Sequence, residues 1–207
     1  IERPKDLEGY TYSTWNSPIE LATMQQVVEA DGGDFSKVDL IPNNIVDEAG
    51  ALKEHQTDAI WIYYGWGGIS AELQGLDFNY FYFKDLDPVF DYYTPVIIAN
   101  NDFLAEHPDT AKAFLSATAK GYEYAIAHPE EAAQMLIESD TTGSLKDSAE
   151  LVTASQKWMA DQYQAEAERW GYIDPSRWNA FYRWLSDNNL VEQPIPENTG
   201  FSNDYLA

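Results

Sequence analysis

The chain contains no cysteine. Disulfides, thiolate metal sites and cysteine nucleophiles are therefore excluded, while the redox compartment stays open. Long apolar runs are missing too, since none approaches the ~18 residues that a membrane-spanning helix needs. Positive charge is scarce: 12 Lys plus Arg stand against 35 Asp plus Glu, for a formal net charge of −23. Such a field repels phosphate backbones and anionic lipid, so neither nucleic acid nor a membrane surface is an expected partner. A solvated acidic surface accounts for the excess. The first residues, IERPKDLEGY, lack the basic start and apolar stretch of a signal peptide. Catalytic signatures are absent as well, with no HExxH, GxSxG, Walker loop or GxGxxG. His55, His107 and His128 are scattered, and the last two simply precede prolines. Asp85, Asp87 and Asp91 lack the glycine and closing glutamate of a calcium loop. The expectation is no catalytic residue, no metal and no cofactor.

What the chain has is apolar and aromatic. Hydrophobic residues make up 44% and aromatics 14% of its 207 residues, with 7 Trp and 14 Tyr, which is enough for a sizeable buried core. The front reads as alternating strands and helices: strand 10–15, helix 18–31, strand 37–42, helix 47–55, strand 57–66, a short helix closed by Gly75, and strand 78–84. One more strand is expected over 92–100, with Pro95 favouring an edge or entry position. Helices dominate from there to residue 189, two of them introduced by His-Pro and an acidic first turn. The tail, 190–207, carries two prolines and reads as extended chain over the surface. The change of character near 91–95 marks the candidate boundary between two lobes, and clefts between lobes are favoured ligand sites.

Two strand ends attract attention. In WNSPIE, Ser17 suits an N-cap, Pro18 the first helical position and Glu20 the third, a capping box that by itself accounts for all three. A strand feeding directly into a helix also presents unpaired backbone N–H groups at the carboxyl edge of a sheet, where ligands bind in open α/β folds. Trp15 would then be a flat wall beside a row of donors. YYGWGG (63–68) repeats the arrangement of strand end, aromatics and glycines before a helix. Packing aromatics explain Tyr64 and Trp66 singly; aromatics at both strand ends are less ordinary. In the acidic, aromatic stretch 85–95, a carboxylate beside rings can accept paired N–H bonds from an amino-substituted heterocycle.

Three segments carry a family resemblance: PKDLEGYTYSTWNSPIE, TDAIWIYYGWGG and the long run from YYTPVIIAN to HPEEAA. With these, the chain resembles the substrate-binding proteins of the NMT1/THI5-like group, in particular ThiY-type proteins of ABC importers for thiamine pyrimidine precursors. Riboflavin-type binders are close relatives. The resemblance implies an α/β, periplasmic-binding-protein type II-like fold of two lobes, with the N-terminal part of lobe one lacking from this chain. Residues 1–92 would form α/β lobe two, and 93–207 the mostly helical C-terminal part of lobe one. It further implies that Trp15, Asn16, Ser17, Glu20, Tyr64, Gly65, Trp66, Asp91, Tyr92 and Tyr93 face the ligand. Glu20 or Asp91 would read an amino edge, and the rings would stack. The implied partners are a small aromatic heterocycle and a membrane permease, for a monomeric full-length protein outside the cytoplasm. The group also contains enzymes that make the pyrimidine with a cysteine-rich motif and a histidine; without cysteine, that activity is not expected. A carbohydrate-active enzyme or sugar-binding module is the alternative from another class, because aromatic platforms beside carboxylates also suit sugars. An anion binder would need Arg or Lys in the candidate segments, which have none.

Overall fold

A computed structural model describes residues 1–42 and 44–206. The chain divides into two units, Ile1–Tyr92 with Pro175–Thr199, and Tyr93–Asp174 with Gly200–Ala207. Pro175–Thr199 is grouped with the first unit, whereas the sequence reading keeps it with 93–207.

The first unit is built on a small parallel sheet. Strands β1 (Thr11–Thr14), β2 (Asp39–Pro42) and β3 (Ala59–Ile60) lie in the order β2-β1-β3 among the described residues. Thr11 pairs with Asp39, and Tyr12 with both Leu40 and Ala59, so β1 is central. Helix α1 (Pro18–Ala30) crosses from β1 to β2, and α2 (Glu48–Lys53) leads to β3. α1 packs in two directions. Its Met24 and Val28 join Leu7, Tyr12 and Val38 in one core cluster. Its Val27 joins Phe90 and three residues of α9 (Pro175–Asp187), namely Phe181, Trp184 and Leu185, in another. Trp184 donates its indole N–H to Gln26 on the same helix. These contacts hold a helix from late in the sequence against the sheet unit, and burial of that many large rings is the driving force.

Three expected strands come out differently. Of 57–66 only Ala59–Ile60 is in the sheet; the chain then leaves through a π-helical turn, Tyr64–Gly68, into α3 (Ile69–Leu73). Glycine makes that turn possible, since a Cβ at Gly68 would lie 2.5 Å from the Tyr64 ring. Over 78–84, Phe78, Tyr80 and Tyr82 alternate as in a strand, but they pack on one another and on Tyr64 instead of entering a ladder. The segment ends in the short helix α4 (Phe83–Leu86). Residues 92–100 are not in a ladder either, and Ile98 is 88% exposed. In each case β-propensity reflects side-chain packing more than backbone preference, and here the packing was satisfied without a partner strand or lacked one.

The second unit holds α5 (Asn101–Glu106), α6 (Pro108–Ala127), α7 (Pro129–Ser139) and α8 (Ala149–Ala160). His107 and His128 occupy the N-cap positions of α6 and α7, with proline at the first helical position as read. Ala133, Ile137 and Val152 form its buried cluster. The tail makes turns and irregular chain, tied by Asn203, whose side chain bonds both the N–H and the carbonyl of Ile173. Its last residue, Ala207, lies outside the described residues.

Candidate ligand-binding site

The strand order creates a switch point. From β1 the chain goes through α1 to one neighbour, β2, and later returns to the other side as β3. In open α/β sheets the loops diverge at such a point, and the crevice at the carboxyl ends takes ligands. Here the two loops are Trp15–Ser17 after β1 and the segment from Trp61 after β3. Trp15 and Trp61 are each the first residue past their strand, and their rings meet at 6.0 Å with a 53° tilt. Trp61 in turn packs on Phe83 at 4.4 Å. Trp15 remains 49% exposed, so the pair is backed from the inside and open to the outside.

Glu20 explains how the Trp15 loop is held. It is only 4% exposed, and its carboxylate accepts from Tyr12 Oη at 2.6 Å, Thr14 Oγ1 at 3.0 Å, and the backbone N–H groups of Trp15 and Ser17, both at 3.3 Å. The N–H of Asn16 donates to Thr14 Oγ1 at 2.8 Å. A buried carboxylate without such partners would be strongly unfavourable. The Ser17–Glu20 capping box is therefore present, extended by Tyr12 and Thr14 into a network. Burial and the Glu20 carboxylate push the Tyr12 hydroxyl far above the usual phenol range. One consequence corrects the sequence reading: the N–H groups of residues 15–17 are not a free row of donors, because each already has an internal acceptor.

The second loop presents Tyr63, Tyr64 and Trp66. Tyr63 and Trp66 are exposed, whereas Tyr64 lies between Tyr80, at 4.9 Å, and Tyr82, at 5.8 Å, with its hydroxyl donating to Glu72. The Glu72 bond raises the Tyr64 phenol well above its ordinary value, and burial pushes Tyr82 up to about 12. Gly65 lies within the π-helical turn, where the backbone N–H groups of Trp66 and Gly67 both donate to the Tyr63 carbonyl.

The remaining candidates sit in other surroundings. Asp91 accepts from Arg177 Nη2 at 2.7 Å, and Arg177 Nε donates to the Asp91 carbonyl, joining this segment to α9. Tyr92 stacks on Phe181 at 4.0 Å and 16°, and burial raises its phenol. Tyr93 belongs to the second unit, where its hydroxyl accepts from the Asp174 N–H at 2.8 Å. The structure thus groups Trp15, Asn16, Ser17 and Glu20 at one strand end, and Tyr64, Gly65 and Trp66 beyond another. It engages both Glu20 and Asp91 with protein partners.

Comparison with known proteins gives this arrangement a family. Residues 1–132 match the family described as NMT1/THI5 like. The chain belongs to the NMT1/THI5-like family. A formylaminopyrimidine-binding protein of Halalkalibacterium halodurans is 25% identical over 207 residues, covering 98% of this chain and 61% of that protein. A 4-amino-5-hydroxymethyl-2-methylpyrimidine phosphate synthase of Candida albicans is 28% identical over 118 residues, 55% of this chain and 31% of the synthase. The chain therefore spans less than two thirds of the length of either relative. Within this NMT1/THI5-like chain, sequence reasoning overlooks Trp61, which it reads as part of a buried strand. The signal for it is positional, since Trp61 follows β3 as Trp15 follows β1. Arg177 is overlooked as well, and only the tertiary pairing of α9 with Asp91 exposes its role.

Proposed function

We propose that the chain is part of an extracytoplasmic solute-binding component of an ABC importer, taking an aromatic heterocycle, a thiamine-related aminopyrimidine. The whole protein in this reading has the two-lobed periplasmic-binding-protein fold, works as a monomer and hands its solute to a permease. The observation that carries it is the open Trp15–Trp61 pair at the switch point of a parallel sheet, in a chain of the NMT1/THI5-like family. Each ring pair formed with a flat ligand adds about 0.5–1.5 kcal/mol beyond simple burial. The formylaminopyrimidine-binding relative supports the choice of ligand class. No helix among the described residues is long and apolar enough to cross a membrane.

Binding is favoured over glycoside hydrolysis by the state of the acids. Glu20 is saturated with hydrogen bonds and Asp91 is ion-paired with Arg177, so neither is poised as an acid or nucleophile. Isothermal calorimetry of the whole two-lobed protein with 4-amino-5-hydroxymethyl-2-methylpyrimidine, riboflavin and thiamine tests the reading. The aminopyrimidine should bind, and Trp15→Ala and Trp61→Ala should each weaken it about tenfold or more. Silence from all three compounds rejects the ligand class.

A further inference from the structure

We infer that the side-chain carboxamide of Asn16 reads the heteroatom edge of the ligand. This rests on the heterocycle-binding reading and names the polar group that gives that site its specificity. Most polar groups around this strand end are already engaged. The Glu20 carboxylate accepts four hydrogen bonds from the protein, and Asp91 is held by Arg177. The backbone N–H groups of Trp15, Asn16 and Ser17 are all donated inward. Pro18 has no N–H to offer. Among the described residues the Asn16 carboxamide, by contrast, makes no hydrogen bond, and it is exposed beside Trp15.

The backbone supports the same assignment. Asn16 has φ of 57°, the left-handed region, which Asn adopts more readily than other side-chain-bearing residues. That conformation is held from behind by the relay from the Asn16 N–H to Thr14 Oγ1 and from Thr14 Oγ1 to Glu20. A carboxamide offers one acceptor and one donor side by side. An aminopyrimidine edge offers the complement, an exocyclic N–H donor beside a ring-nitrogen acceptor. Asn makes the same two-bond pairing with the edge of adenine. Consecutive residues would thus supply a flat face, Trp15, and an edge contact, Asn16. An acid at this position would give only acceptors, and a lysine only donors.

The test compares 4-amino-5-hydroxymethyl-2-methylpyrimidine with its analogue carrying methyl in place of the amino group, which has the same shape but no N–H. Calorimetry of the whole wild-type protein should show a preference of about tenfold for the amino compound, the factor carried by roughly one net hydrogen bond. In Asn16→Gly, which tolerates the positive φ, that preference should vanish: the amino compound loses both edge bonds, and the methyl analogue loses only the bond to its ring nitrogen. Asn16→Asp keeps the acceptor for the exocyclic N–H and loses the donor to the ring nitrogen, so it should weaken both compounds while the amino preference survives, and this pattern provides the reading if the glycine variant does not fold. An equal loss of both compounds in Asn16→Gly, a preference that survives there, or unchanged binding of both compounds in Asn16→Asp overturns the inference. So does wild-type binding of both compounds with no preference. Absence of binding of either compound by the wild type instead rejects the heterocycle-binding reading on which it stands.

Discussion

At the scale of single residues, the Tyr12–Glu20 pair shows how a charged group can be buried in a chain with few cations to neutralise it. Glu20 is stabilised wholly by donors: a phenol, a hydroxyl and two backbone N–H groups. Removing one leaves the acceptor short in a dry environment. Tyr12→Phe should cost about 1.5–3 kcal/mol in urea denaturation, as for a hydrogen bond to a charged group. A cost below ~0.5 kcal/mol would mean that Glu20 finds a replacement donor. The same variant should change the alkaline limb. Because burial first, and Glu20 second, raise the Tyr12 phenol, the fold favours its neutral form. That contribution is complete below the unfolded phenol value of about 10 and declines as pH rises beyond it. The variant should therefore lose stability less steeply above pH ~10 than the wild type.

At the scale of elements, the shortness of β3 makes its anchoring important. Two residues cannot fix a register by ladder bonds alone. Asp58 does it instead: its carboxylate accepts from the Thr11 N–H at 2.9 Å and from Thr11 Oγ1 at 2.7 Å, while its own N–H donates to Thr11 Oγ1 at 3.0 Å. The Thr11 N–H, followed by the hydroxyl, lowers the Asp58 carboxyl below its usual range. The depressed value sets the sign, since the stabilisation is present above the unfolded carboxyl value of about 4 and is lost as pH falls through the folded one. Asp58→Asn should flatten the fall in the urea midpoint below pH ~4. An acid limb identical to wild type would show that the clamp contributes nothing. The Trp15–Trp61 pair depends on this register, because β1 and β3 deliver its two rings.

For the whole molecule, charge is the governing quantity. At −23, self-repulsion opposes the folded state. The Arg and Lys ion pairs are mostly at the surface, where a pair is worth about 0–1 kcal/mol. Screening should therefore relieve more repulsion than it removes attraction. From about 0.01 M to 1 M NaCl the screening length shrinks from ~30 Å to ~3 Å. The urea midpoint should rise across that range, and a fall would show that the ion pairs outweigh the net charge.

Local chemistry in the sequence was sufficient for the elements whose signals do not depend on a partner. The capping box at Ser17–Glu20, the prolines opening α6 and α7, and the alternation that yields β1, α1 and β2 all appear where periodicity and capping place them. The family, too, was legible from motifs. Tertiary structure decided the rest. β-Propensity over 57–66, 78–84 and 92–100 cannot say whether a neighbouring strand exists to share its hydrogen bonds, and there the aromatics packed on each other or stayed exposed. Nor can one sequence show which carboxylates are already engaged. Only folding brings Tyr12 onto Glu20 and Arg177 onto Asp91, and leaves the Asn16 carboxamide unengaged beside Trp15.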